Sequence, residues 1–281
     1  MLLTQRTLPD RAAFHYNRGN RLRGQGEFEA AIQSYYKSLQ INPENADTFY
    51  NLGLSLQENR DIEKAIESYN RALSIKPNYQ SARSQKLHQQ ARICNWIGIE
   101  NDKKLMLKID TNTQEIVPFG HLALEDCPNR HRLRSELYSN NTYHQRPLSI
   151  ISRPLQKPER LRIGYFSSDF YEHPVAYLIA KMLELHDRKH FKVYGYSIGS
   201  AKDDEMRKRL KKAFDVFHDV KDRDDKDITL LARQDKIDIA IDLNGYTRNN
   251  RSAIFAYRAA PVQINYLGYP VTMGADFIDY I

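Results

Sequence analysis

The sequence predicts an α + α/β chain, a helical repeat array followed by a doubly wound parallel sheet. Three observations carry the prediction. Residues near the front match one another at a spacing of 34. Beyond Glu159, short apolar, β-branched or aromatic runs alternate with helical patterns. Between the two lies a polar stretch punctuated by Arg146-Pro147, Arg153-Pro154 and Lys157-Pro158, a composition that marks a domain boundary.

With 41% hydrophobic and 27% charged residues over 281 positions, the chain has the balance of a globular protein, not of a disordered or fibrous one. No run approaches the roughly 18 apolar residues of a membrane-spanning helix. The opening MLLTQRTLPD lacks the basic and apolar regions of a secretory signal. Cys94 and Cys127 stand far apart without metal-ligand spacing, which excludes a disulfide scaffold and a cysteine-rich zinc site. The cytoplasm, a reducing compartment, is therefore expected. The net charge of +7 divides into +6 over residues 1–158 (22 Lys+Arg, 16 Asp+Glu) and +1 over residues 159–281 (20 against 19). The excess is interleaved with acids and accompanies no nucleic-acid motif, so a solvated, mildly basic surface is expected, with neither nucleic acid nor membrane as a partner.

In the front part, Gly19, Ala31, Ser34, Tyr35, Leu39 and Pro43 match Gly53, Ala65, Ser68, Tyr69, Leu73 and Pro77. Glycine and alanine suit places where two helices approach closely. Proline ends the second helix because it lacks the amide and clashes with the preceding turn. A 34-residue period with these residues at these offsets resembles the tetratricopeptide repeat. Residues 12–43 and 46–77 are then two helix–turn–helix units, turning near Gly24-Gln25-Gly26 and Glu58-Asn59-Arg60, with each tyrosine filling the groove of the next hairpin. Residues 78–91 keep helical character without the Gly and Ala marks and are expected to cap the array. Such an array implies either a short peptide-binding groove or a spacer.

The expected boundaries are 1–93 for the repeats, 94–158 for a helical linker and 159–281 for the α/β part. In the last, LRIGYFSS, FKVYGYSI, FDVFHDV, IDIAIDL and VQINYLGY are the strand candidates. They are apolar enough for burial on both faces, as parallel strands are. Ligands of such sheets bind at the carboxyl ends of the strands, in the loops leading into helices. After the first strand, Ser168-Asp169-Phe170-Tyr171-Glu172-His173-Pro174 sets two acids and an imidazole together, with Pro174 suited to a first helical turn. A histidine there can act as a base or hydrogen-bond a reacting group; the plainer alternative is a helix-capping Asp beside a surface His. Asn244-Gly245-Tyr246-Thr247, after the fourth strand, reads as an Asn-Gly turn. After the fifth, residues 267–274 offer glycines that let backbone amides approach a ligand. This loop lacks the spacing of a P-loop or a dinucleotide fingerprint. His186 and His190, at a helix–strand junction, are expected at the surface and not on a metal.

Taken in order, the repeats, CNW, PFGHLALEDCP, LRIGYFSSDFYEHPVAYL and DLNGYTRNNRSAIFAYRAAPVQINYLGYPVTMGADFIDYI resemble the O-linked N-acetylglucosamine transferase family, in its bacterial and SPINDLY-like branches more than in its animal one. The resemblance implies a GT-B glycosyltransferase with two Rossmann-like lobes, inverting, without metal or other cofactor. Its donor would be a nucleotide sugar such as UDP-GlcNAc, and its acceptor a Ser or Thr of a protein presented partly by the repeats. On this resemblance Asp169 and His173, in SSDF..HP, lie in the catalytic cleft, and Leu267, Gly268 and Pro270, in LGYP, line the sugar pocket. His173 would orient or hydrogen-bond donor and acceptor groups, and Asp169 would serve as a base or an electrostatic partner. Glu172 stands where many relatives have Asn, and Val271 replaces a Gly. In the family a second lobe follows DFIDYI, so the chain is expected to be the N-terminal portion of a transferase, inactive or nearly so alone. Two alternatives stay open: a non-catalytic repeat module that binds proteins, and a transferase using GDP-fucose or UDP-glucose.

Overall fold

The computed structural model describes residues 8–109, 117–148, 158–199 and 202–281. Arg153, Pro154 and Lys157 of the expected boundary lie outside the described residues. The chain divides into two compact units, Met1–Ile116 with Gly120–Asp126, and Val117–Phe119 with Cys127–Ile281. No described helix is long and apolar enough to cross a membrane.

The first unit is a succession of helical hairpins: α1 (Leu8–Gly24) with α2 (Phe28–Ile41), α3 (Ala46–Glu58) with α4 (Ile62–Ile75), and α5 (Gln80–Arg92) with α6 (Trp96–Ile109). The matched residues sit where the helices touch. Ala31 and Ala65 are fully buried, and a Cβ at Gly19 or Gly53 would stand 2.5 Å from the ring of Tyr35 or Tyr69. The tyrosines correct the expectation made for them. Each lies over the glycine of its own hairpin, and its hydroxyl donates to the same hairpin's first helix, Tyr35 to Asn20 and Tyr69 to Gln57, both at 2.8 Å.

The third hairpin keeps the same register without the marks. The residues after α1, α3 and α5 with left-handed backbone are Gly26, Arg60 and Cys94, at φ of 79°, 66° and 55°. The amide following each donates back across the helix end: Glu27 to Leu22, Asp61 to Leu56 and Asn95 to Gln90, at 3.0, 2.9 and 2.9 Å. This is one helix-stop geometry used three times. Where the earlier hairpins have Gly and Ala, the third has Leu87 and Ile99, which form their own small cluster. Asp102 of α6 ties it to α5 through Arg83 and Lys86, at 2.7 and 2.6 Å.

The second unit holds α7 (Pro128–Thr142) and a five-stranded parallel sheet, β1 (Leu161–Ser167), β2 (Phe191–Ser197), β3 (Val216–Asp219), β4 (Ile239–Asp242) and β5 (Val262–Asn265), in the order β3-β2-β1-β4-β5. This is the predicted α/β architecture. Side chains alternate across β1: Ile163 and Tyr165 join the core formed by α8 (Pro174–Leu185) and α9 (Glu205–Ala213), while Phe166 turns the other way, stacked on Tyr196 and edge-on to Phe255. Beyond β3 lie α10 (Asp225–Gln234) and the short α11 (Ala253–Ala256). The chain runs outward from β1 to β3, then returns to β4 on the opposite side of β1. The crevice between the carboxyl ends of β1 and β4 is thus the point where strand order reverses, the place where ligands of open α/β sheets bind.

Candidate functional site

Asn244, the second residue after β4, spans that crevice. Its Oδ1 accepts the backbone N–H of Ser168 at 2.8 Å; its Nδ2 donates to Ser168 Oγ and to Asp169 Oδ2, both at 2.8 Å. Ser168 Oγ donates in turn to Asp169 Oδ1 at 2.9 Å. The three residues are buried, at 1%, 2% and 9% exposure for Asn244, Ser168 and Asp169. A side-chain amide accepts at one end and can donate two hydrogens at the other, which this arrangement uses in full. Asn244 is itself aimed by Asp242, whose Oδ1 accepts the N–H groups of Asn244 and Gly245 at 2.9 and 3.1 Å.

The loop after β1 is held on its far side by α9. Asp204, the N-cap of α9, accepts the N–H of Glu172 at 2.8 Å. The buried Arg207 donates to the carbonyl of Phe170 at 3.1 Å and to Ser197 Oγ at 3.0 Å, and pairs with Asp219 at 2.7 Å. Three strand ends thereby share one guanidinium. The loop then enters α8 with His173 as the N-cap and Pro174 in the first turn. The capping residue is the histidine, where the plainer reading of the sequence had an aspartate. Asp169 and His173 are brought together, with Oδ2 and Nδ1 4.0 Å apart.

Leu267, Gly268 and Pro270 stand on the neighbouring loop, after β5. The N–H of Gly268 donates to the carbonyl of Tyr266 at 2.9 Å, a three-residue turn that puts Leu267 at φ 71°. This is a strained conformation for a non-glycine residue. Any Cβ at Gly268 would collide with the carbonyl oxygen of Leu243, so the loop presses directly on the backbone after β4. Tyr269 anchors it, packed against Gly245, with its hydroxyl 3.4 Å from Ser135 of α7. Leu267 and Pro270 remain exposed. The β1 and β5 loops are therefore joined through residues 243–245. A cleft of about 610 Å³ lies further along the same edge, bordered by Arg132, Asn265 and Thr272; none of the five predicted residues lines it. Of those five, Asp169 is buried, His173 and Gly268 are half-buried, and Leu267 and Pro270 are exposed.

Residues 244–247 hold a clamp as well as the expected turn; because Asn-Gly has a sufficient local explanation, the clamp leaves no mark of its own there. The available signal was an acid closing β4 two residues before an Asn, at the strand next to β1. His186 is half-buried, 2.8 Å from the Tyr165 hydroxyl, and His190 is exposed beside Asp187. No group of three potential metal ligands occurs among the described residues.

The pattern described as glycosyl transferase family 41 matches residues 96–281, and patterns of the tetratricopeptide repeat match residues 19–59 and 46–79. A probable UDP-N-acetylglucosamine–peptide N-acetylglucosaminyltransferase of Arabidopsis thaliana, SEC, is 42% identical over 123 residues, 44% of this chain and 13% of that protein. The UDP-N-acetylglucosamine–peptide N-acetylglucosaminyltransferase of Caenorhabditis elegans is 41% identical over 129 residues, 45% of this chain and 11% of that protein. Among solved structures, a mutant O-GlcNAc transferase of Thermobaculum terrenum superposes with a TM-score of 0.71 at 25% identity, covering 99% of this chain and 54% of that one. The chain thus spans a small part of the curated relatives it matches and about half of the solved one.

Proposed function

The chain belongs to glycosyl transferase family 41, and on that premise we propose that it supplies the repeats and one catalytic lobe of a protein O-glycosyltransferase. The reaction is transfer of N-acetylglucosamine from UDP-GlcNAc to a Ser or Thr hydroxyl of a protein, inverting and without metal. The acceptor oxygen bonds to the anomeric carbon as the bond from that carbon to the diphosphate breaks. The acceptor's proton passes to solvent, and UDP leaves with the electron pair.

The observation that carries this reading is the β1/β4 crevice itself, which lies within the family match and holds Asp169 and His173 side by side. Asp169 acts there as an electrostatic partner, its carboxylate fixed in place by a hydrogen bond to each oxygen. The exposed face of Leu267, Gly268 and Pro270 borders the sugar. The repeats present the protein acceptor, and the free thiols Cys94 and Cys127 suit a reducing cytoplasm.

Equilibrium binding of labelled UDP-GlcNAc, UDP-glucose and GDP-fucose to the chain tests the reading. UDP-GlcNAc is expected to bind, and Gly268→Ala to weaken it about tenfold, the equivalent of one lost contact. Preference for GDP-fucose would change the donor. No affinity for any nucleotide sugar, with peptide binding unaffected by His173→Ala, would replace the transferase by a protein-binding module.

A further inference from the structure

A His–carboxylate pair that generates a base has a fixed arrangement: the carboxylate accepts the hydrogen of Nδ1, and Nε2 is left bare to take a proton. Asp169 and His173 have the two groups but not the arrangement. Nδ1 of His173 accepts the backbone N–H of Val175, at 3.3 Å, as the cap of α8. A backbone amide nitrogen has a hydrogen to give and none to receive. Nδ1 is therefore the bare nitrogen, and a neutral ring in this position carries its hydrogen on Nε2.

The carboxylate is fixed by other partners. Asp169 Oδ1 takes the hydrogen of Ser168 Oγ, and Oδ2 takes one from Asn244 Nδ2. Asn244 cannot release it freely, because the same side chain holds the N–H of Ser168 from the neighbouring strand. For a hydrogen on Nδ1 to reach Oδ2 across the 4.0 Å gap, Nδ1 would have to stop accepting, and the N–H of Val175 would lose its partner. Pro174 in the first turn of α8, with His173 extended at φ −146° and ψ 147°, keeps the ring at the helix mouth. The side chain remains 34% exposed.

We infer that His173 works as a hydrogen-bond donor through Nε2–H and is not a general base. The group it fits is an oxygen that offers a lone pair, such as that of a phosphate or a carbonyl. Resting on the transferase reading, this makes it a holder of a nucleotide-sugar oxygen, not the receiver of the acceptor's proton. The assignment of the ring hydrogen itself rests on the cap alone.

Long-range 1H–15N correlation of the 15N-labelled chain at alkaline pH reads the ring directly, with His173→Ala identifying the signals. The expected pattern is a bare Nδ1 and a protonated Nε2. A hydrogen on Nδ1, or even exchange between the two forms, overturns the inference. Thermal melts supply a second readout. His173→Asn, whose side-chain oxygen can cap α8, is expected to melt close to the unsubstituted chain and above His173→Ala; equal losses in both variants would remove the cap from the argument and overturn it. Neither readout needs turnover, so an absent transferase activity would leave the donor assignment standing, and a wrong tautomer would leave the family reading standing.

Discussion

Asp242 keeps a carboxyl group where water hardly reaches. It is 2% exposed, one oxygen takes the two amides after β4, and Oδ2 has no protein partner. Burial disfavours the charged form more than the two amides favour it, so the pKa is pushed up from 3.8 to about 6. Between those values the unfolded chain binds fewer protons than the folded one. Stability therefore falls as pH rises through that window, by up to about 3 kcal/mol, and stays lower above it. Asp242→Asn keeps an acceptor for both amides and carries no charge. It is expected to stabilise the fold by about 1–3 kcal/mol near pH 8 and to flatten the slope, measurable in urea melts at about pH 4 and about pH 8. A variant less stable than the parent near pH 8 would show that the charged form is satisfied after all. Asn244 makes the opposite case, a polar group with every bond made. Asn244→Ala is expected to cost about 2–4 kcal/mol by stranding the buried N–H of Ser168 and taking a donor from Ser168 Oγ and Asp169 Oδ2. Asn244→Asp should cost more, because it sets a carboxylate against Asp169, and adding Asp169→Asn should recover part of that loss.

At the scale of elements, the repeated helix stop makes its own prediction. Arg60 adopts the left-handed backbone that Gly26 adopts one period earlier. Arg60→Gly is expected to stabilise the first unit by about 0.5–1 kcal/mol, the left-handed penalty less the added freedom of the unfolded glycine. Gly53→Ala should destabilise it by about 2–4 kcal/mol, since the new Cβ meets the buried ring of Tyr69. Gly24→Ala, with open space at its Cβ, should change little. Thermal melts of the three variants separate packing from backbone effects. The same elements explain what could be read in advance. Gly19, Tyr35 and Pro43 recur as Gly53, Tyr69 and Pro77, so two hairpins were legible from self-comparison. The third was not, because its contacts are made by Leu87, Ile99 and a buried Arg–Asp–Lys group that share geometry with the earlier hairpins but no residue types. In the sheet, strand positions and the three loops followed from apolar runs and glycines. The bonds between loops did not, since Ser168, Asn244 and Arg207 are far apart in sequence and each has an ordinary local role.

For the whole molecule, the sheet order brings the ends of β1 and β4 into register, and the residues on both sides of that crevice fasten to each other before any ligand arrives. A preorganised edge of this kind suits electrostatic work on a departing diphosphate. On the proposed reading this edge is one wall of a transferase site, and that assignment is open to a direct experiment. It is tested most directly by fusing the full chain in place of the part of the Thermobaculum terrenum O-GlcNAc transferase that it matches, and measuring transfer of labelled N-acetylglucosamine from UDP-GlcNAc to protein. Incorporation onto Ser or Thr is expected, falling about 100-fold or more with Asp169→Asn or His173→Ala, the scale of losing an electrostatic or hydrogen-bonding group at a reacting centre. A fusion that folds and melts cooperatively yet transfers nothing, or transfers equally well without these two side chains, would contradict it.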